Sequence, residues 1–403
     1  MCIRDRHGGA LIQANVELEG TEVVDLMIRF REAALEEDEA ALQALKEEAA
    51  SLVSVFPDDV TLRQILVEAH LRAGDYEEAL VHLNQAIALE PDNRRFYMAK
   101  ARVLGQLEEL NDLEDFLREM VRMFPDDTET KLSLVRLYSA QGRTERAEEF
   151  LREFAEESGE ERDVITLITY IRQVGGNEAA LTEIEQRLTV APDATFLLAL
   201  KAAVLFEIGQ RDEAIALMES VVDVDNPTDQ INRYKVSLAK MLQTEGNLVG
   251  ARTKVEEVLA SDSSQVEALK MSAEWLISDD KPEDAIGQLR IALDQEPDDS
   301  EAMMLMSDAH LRMGDRELAQ DLLSLAVDAS DNAPRESIRF AEFLLAEESV
   351  RPAENVLLNA LRNDPDNFRI LNMLGQVYIQ TEDWGRADQI AATFRRMDSE
   401  RAQ

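Results

Sequence analysis

Two residue types recur along this chain with one shared period, and that period constrains the fold more than any other feature. Pro57, Pro91 and Pro125 are spaced by 34 residues, and each opens a Pro-Asp pair. Pro192, Pro227, Pro297 and Pro365 continue near multiples of the same spacing, and Gly159 and Asp331, other residues that end helices, fill the gaps. Alanine marks a second phase at Ala79, Ala147, Ala180, Ala214, Ala251, Ala285, Ala319, Ala353 and Ala387, where most steps are again 34. A fixed period of this length belongs to a chain of small supersecondary units. One unit cannot bury its apolar face alone, so copies stack and bury it on their neighbours.

Within each period the pattern reads helix, short turn, helix. Leu62, Ile65, Leu66 and Ala69 recur at i, i+3, i+4 and i+7, which is one apolar stripe of a helix. Gly74 can take the left-handed conformation that ends it. Ala79, Leu80, Leu83, Ala86 and Ile87 form the second stripe, and Pro91 forbids its continuation. The alanine phase follows from packing: a larger side chain would push the two helices apart where they cross most closely. Composition agrees, since aromatics are only 5% and charged residues are 31% and dispersed through the chain rather than gathered in tails. The fold class is therefore all-α.

The repeated positions resemble the tetratricopeptide-repeat (TPR) family. The last period supplies Leu374, Gly375, Tyr378, Ala387 and Phe394, with Trp384 beside the turn; an early one supplies Leu66, Gly74, Tyr76, Ala79, Leu83 and Ala86. Ala273, Ala285, Leu289, Ala292 and Pro297 mark another, as do Ala341, Ala353, Leu357, Ala360 and Pro365. The resemblance implies an α-α superhelix, a solenoid of about ten to eleven antiparallel helix pairs. It places ten repeats over 57–398, a degenerate helix pair over 22–56, and a short tail over 399–403. Leu113 replaces the small residue of one pair, which predicts a splayed pair there. Three extra residues near Asn226-Pro227-Thr228 predict a longer loop. The residues after Phe394 are too few for a capping helix, so the stack is expected to end truncated or to be completed by another element.

Residues 1–21 read differently. Met1-Cys2-Ile3-Arg4-Asp5-Arg6 resembles the translation of a transposon-end adapter used in preparing sequencing libraries, so the chain is expected to be an N-terminally truncated fragment. Cys2, the single cysteine, then falls in that leader. The remaining residues offer no thiol for catalysis, a disulfide or a cysteine zinc site.

Chemical motifs are sparse. His7, His70, His82 and His310 show no metal-ligand spacing, and neither a Gly-x-Ser-x-Gly elbow nor a Gly-rich phosphate loop ending in Gly-Lys-Ser/Thr occurs. His70 and His310 fall where the family places Tyr, which predicts packing between helices. Gly175-Gly176 reads as a helix terminator. The acidic pairs Asp58-Asp59, Asp126-Asp127 and Asp298-Asp299 follow proline at helix starts, where a carboxylate caps free amides. No catalytic, metal or cofactor site is assigned, and no small-molecule substrate is expected.

Charge is the informative feature. Against 42 Lys plus Arg stand 82 Asp plus Glu, a formal net charge of -40. Such a charge disfavours nucleic acid and anionic membrane, and no run approaches the ~18 apolar residues of a membrane span. The family implies that positions 2, 5, 9, 12 and 13 of each first helix line a concave groove. Those positions carry Arg72, Arg95, Arg102, Arg136, Arg162, Arg172, Arg233, Lys240, Lys270, Arg312, Arg335 and Arg369. Their acids are Glu68, Glu129, Glu207, Glu267, Glu274, Glu301, Asp308 and Glu342, which reverses the ratio of the whole chain. One consequence is a groove for an anionic partner; the alternative is that the arginines pair with neighbouring acids and cover the helix face with their stems. Apolar groove positions are Leu71, Met98, Leu132, Ile165, Phe196, Phe206, Val236, Ile277, Met304, Leu311, Ile338 and Ile379, some of them expected to be buried between repeats. Phe196 and Phe206 are the expected anchors for an extended segment.

The expected function is a non-catalytic interaction scaffold whose groove holds an acidic peptide segment or an acidic polysaccharide. By analogy with long bacterial TPR proteins, the setting would be envelope or exopolysaccharide assembly, periplasmic or lipid-anchored, with a cytoplasmic location as the alternative. The competing reading is the docking or regulatory portion of a larger enzyme whose catalytic domain precedes this fragment.

Overall fold

The computed structural model describes residues 22–224 and 228–401, with side chains followed through Met397. The adapter-like leader and residues 225–227 of the expected longer loop lie outside the described residues. Among the described residues the secondary structure is helical throughout, with no strand. The chain divides into two compact units, one ending at Val174 and the other beginning at Gly175.

The first unit opens with α1 (22–35) and α2 (Glu39–Val55). The pairs α3 (Val60–Ala73) with α4 (Tyr76–Leu89), α5 (Arg94–Gln106) with α6 (Leu110–Met123), and α7 (Thr128–Ala140) with α8 (Thr144–Ser158) follow. The first arm of α9 (Glu161–Val190) completes the unit. Leu26 and Phe30 of α1 pack with Leu45 and Ala49 of α2 onto Leu62, Ile65 and Leu66 of α3, so the opening helices share one core with the first pair.

The second unit holds the second arm of α9 and six pairs. These are α10 (Thr195–Glu207) with α11 (Arg211–Val222), α12 (Asp229–Thr244) with α13 (Leu248–Ser261), and α14 (Val266–Ser278) with α15 (Pro282–Gln295). Next come α16 (Ser300–Met313) with α17 (Arg316–Ala329), α18 (Pro334–Ala346) with α19 (Val350–Asn363), and α20 (Phe368–Gln380) with α21 (Trp384–Arg401). The last helix runs to Arg401, into the stretch that the sequence reads as a tail.

Local chemistry explains these boundaries. Asp59, Asp127 and Asp299 accept hydrogen bonds from the amides of Leu62, Glu129 and Ala302, so the second aspartate of each acidic pair caps a first helix. Losing such a cap costs about 1 kcal/mol. Gly74 ends α3 in the left-handed region at φ +76°. Asp331 takes a left-handed φ of 52° at its helix end, and Thr228 caps α12 through the Ile231 amide. Inside α9 the run is broken at Gly176, whose φ of 80° and ψ of -178° suit glycine alone, so the turn between two helices shrinks to a kink.

The alanine phase marks the closest crossings. Ala79, Ala147, Ala180, Ala214, Ala251, Ala285, Ala319 and Ala353 are fully buried, and only Ala387 of the last pair is half-buried. At Leu113 the side chain faces α5: its Cδ2 lies 3.8 Å from where a Cβ on Gly105 would sit, an ordinary contact distance. Helices α5 and α6 do pack less extensively than α3 and α4, as Leu113 predicts. However, α7 and α8 keep Ala147 and pack no more extensively, so this one side chain is not the cause.

Candidate functional site

The first helices of the second unit line two adjoining hollows that share Glu301, Leu305 and Arg335. Their floor includes Met271, Met304, Leu305 and Ile338, and their rim is charged. The charges are paired from helix to helix. Lys240 of α12 bonds Glu267 of α14 at 2.5 Å. Lys270 of α14 reaches Glu267 at 2.5 Å, Asp299 at 2.9 Å and Glu301 of α16 at 3.0 Å. Glu301 also takes Arg335 of α18 at 3.1 Å, Asp308 takes Arg339, and Glu342 takes Arg369 of α20 at 2.8 Å.

Lys270, which the sequence places in the open groove, is buried. Burial alone would lower its pKa, but three carboxylates overcome that and raise it. Burial would likewise raise the Glu267 and Glu301 carboxyls; the cations beside them hold both below their usual range. Lys270 is thus a rivet between α14 and α16 rather than a free contact for a partner. Arg233 of α12 and Arg312 of α16 are exposed, and among the described residues neither makes an ion pair.

The first unit is arranged differently. Its groove positions hold six cations, Arg72, Arg95, Arg102, Arg136, Arg162 and Arg172, against two acids, Glu68 and Glu129. The second unit holds six of each, so the whole cationic excess read from the sequence lies in the first unit. Arg72 pairs with Glu68 at 3.3 Å and Arg136 with Glu129 at 2.6 Å, both within one helix. Arg162 lies 3.9 Å from both Asp126 and Asp163, beyond hydrogen-bond reach. Arg172 is half-buried. Arg95 and Arg102, one above the other on α5, are exposed and make no ion pair among the described residues.

Apolar groove positions divide in the same way. Val236, Ile277, Met304 and Ile338 are buried between helices, whereas Ile165 and Ile379 are exposed and Leu71, Met98, Leu132 and Leu311 are half-buried. Phe196 and Phe206 are only half exposed. Phe206 packs against the core of α10 to α14, with the Arg211 guanidinium 5.5 Å over its ring. That leaves the Phe206 ring engaged within its own unit.

His70 and His310 sit in the last turns of α3 and α16, where each ring faces the aspartate that begins the next helix, Asp75 at 3.3 Å and Asp315 at 3.4 Å. Both therefore tie the turn of a helix pair. His70 also stacks on His82, with ring centroids 5.6 Å apart.

Family models described as tetratricopeptide repeat match residues 60–103, 129–153 and 276–335. The chain carries tetratricopeptide repeats. It is similar to a tetratricopeptide repeat protein from Parabacteroides merdae (15% identity, TM-score 0.44, covering 62% of this chain and 98% of that one). It is also similar to yeast Tom70 (13%, TM-score 0.46, 92% and 91%) and to a thermophilic TPR protein of Thermus thermophilus (17%, TM-score 0.39, 46% and 100%). No curated protein matches it in sequence.

Two features of this repeat protein escaped the sequence reading. The first is a joint between neighbouring repeats, in which Tyr138 Oη donates to Glu114 at 3.0 Å while Arg143 bonds the same carboxylate at 2.7 Å and Arg146 approaches it at 3.6 Å. Burial would raise the Glu114 carboxyl, and the Arg143 and Tyr138 bonds hold it low instead. Glu354, Tyr378 and Arg386 repeat the arrangement at the far end, each 240 residues on, with Arg386 paired to Glu354 and lying over the Tyr378 ring. That common offset is the signal a search for repeated triplets would have found. The second is buried Lys131, 3.8 Å from buried Asp163 and 3.5 Å over the Phe154 ring, with a pKa lowered by burial and only partly restored by Asp163. No periodicity announces it, because its partners come from two other helices.

Among the described residues no cluster of His, Cys, Asp or Glu has a metal-binding arrangement, and no helix is long and apolar enough to cross a membrane.

Proposed function

We propose that the chain is a non-catalytic scaffold that holds an extended anionic partner along the open faces of its first helices. Its tetratricopeptide repeats belong to a class of protein-interaction modules. The observation that carries the anionic preference is the charge balance of the first unit. In a chain with about two acids per base, its groove positions carry three cations per acid. An acidic exterior around a cationic face repels misdirected encounters and steers an acidic partner to that face. The division into ten repeats after a degenerate opening pair, and a role in envelope or exopolysaccharide assembly, belong to the same proposal.

The test is a comparison of labelled acidic, neutral and basic peptides of equal length by fluorescence anisotropy, with hydrogen exchange to locate the contact. The acidic peptide is expected to bind tightest, to weaken as salt is raised, and to protect first helices. Preference for the basic peptide, or protection confined to second helices, would refute the proposal.

A further inference from the structure

The first-helix faces of the first unit combine cations with apolar side chains and present no exposed aromatic ring, and Arg95 and Arg102 of α5 make no ion pair among the described residues. On α5, Arg95, Met98 and Arg102 follow one another at i, i+3 and i+7, the spacing of a single helical stripe. Leu132 and Ile165 occupy the equivalent position on α7 and α9, half-buried and exposed respectively, beside Arg136 and Arg162. The aromatic residues of these helices, Phe96, Tyr97, Tyr138 and Tyr170, are all buried. Single-stranded nucleic acids are gripped by stacking on exposed aromatic faces, and sugar rings pack on the same kind of surface. A surface of guanidinium groups and aliphatic side chains instead complements a polypeptide whose carboxylates alternate with apolar residues.

From this we infer that the first unit carries the recognition site, and that its ligand is an extended acidic polypeptide with interspersed apolar side chains, seated first on Arg95 and Arg102 of α5. This rests on the scaffold reading above and narrows it to one place and one class of partner. Arg95 and Arg102 carry the argument because, among the described residues, they have no acid to give up on binding and stand together on one helix stripe, whereas Arg233 and Arg312, also without ion pairs, lie on separate helices. In the second unit Lys240, Arg335 and Arg369 would each have to leave a carboxylate, and the exchange returns little net energy.

The experiment uses the full chain and a fluorescein-labelled peptide of four Glu-Glu-Leu units. Its glutamine analogue, a labelled alginate fragment and labelled oligothymidylate serve as alternatives. Two double variants carry the same charge change: Arg95→Glu with Arg102→Glu, and Arg233→Glu with Arg312→Glu. All four arginines are exposed and, among the described residues, without ion pairs, so both variants are expected to keep the wild-type circular dichroism spectrum. The glutamate peptide should bind wild type more tightly than any alternative. The first variant should weaken it at least about ten-fold, and the second by no more than about two-fold. Equal weakening by both variants would overturn the placement while leaving the scaffold reading intact. Tighter binding of the alginate or the oligonucleotide would overturn the choice of a polypeptide. Equal binding of the glutamate and glutamine peptides would remove the anionic preference itself.

Discussion

Replacing Lys270 by methionine tests whether the paired charges of the second unit hold neighbouring repeats together. Methionine keeps most of the buried aliphatic volume, so no large cavity opens and the loss is chiefly electrostatic. Removing one partner of a buried ion pair costs about 3–5 kcal/mol. Here the remaining carboxylates are not abandoned: Glu267 keeps Lys240, Glu301 keeps Arg335, and Asp299 keeps the Ala302 amide. The expected loss is therefore nearer about 2–4 kcal/mol at pH 7.

The pH dependence carries the sharper test. The Glu267 and Glu301 carboxyls are held below their ordinary value of 4.5, so the stability they supply is present above that pH and is lost as pH falls through their folded values. The Lys270 pKa is raised above 10.5, so its contribution is complete below pH 10.5 and is lost at higher pH. The gap between wild type and Lys270→Met should then be widest from about pH 6 to pH 10 and should shrink on both sides. Urea unfolding followed by the fluorescence of Trp275, buried on the same helix, reads this directly once exposed Trp384 is replaced by phenylalanine. A gap under about 1 kcal/mol at pH 7, or one unchanged between pH 7 and pH 4, would refute the reasoning.

Three other outcomes are expected. Ala251→Leu should overpack a fully buried crossing and cost about 1–3 kcal/mol in chemical denaturation, whereas leucine at half-buried Ala387 should be tolerated better. Gly176→Ala should cost about 1–3 kcal/mol, because its backbone lies in a region essentially limited to glycine; an unchanged melting curve would show that the kink relaxes freely. His82 has its pKa lowered by burial first, then by repulsion from His70 and Arg63, so the fold favours its neutral form. Stability should therefore decline as pH falls from about 6.5 through its folded value, and His82→Gln should flatten that decline in thermal melts between pH 7 and pH 5.

Much of the architecture was legible in the sequence because it rests on local rules. The carboxylates at Asp59, Asp127 and Asp299 cap helices within three residues of themselves, and Gly74 ends one by its own backbone freedom. The alanine phase was equally readable, since most pairs close over a short connection and meet at the same step of the period. Leu113 shows the limit of such reading: its pair packs less extensively than α3 and α4, yet α7 and α8, with alanine at that position, pack no more extensively.

The candidate site was less legible. Helical periodicity placed Arg95, Lys240, Lys270 and Arg335 on first-helix faces, but whether a cation stays available depends on which acid the next helix brings within about 3 Å. That distance follows from helix spacing and rotation between repeats, neither of which is encoded in any one repeat. Taken alone, the sequence determined the period, the helix pairs, the small residues at their crossings and a cationic bias on one face. Only the tertiary structure decided that Lys270 is a buried rivet, that Lys240, Arg335 and Arg369 are each paired with a carboxylate, and that Arg95 and Arg102 make no ion pair among the described residues. Local rules act within one turn of helix, whereas ion pairing across repeats is set by the packing of whole helices.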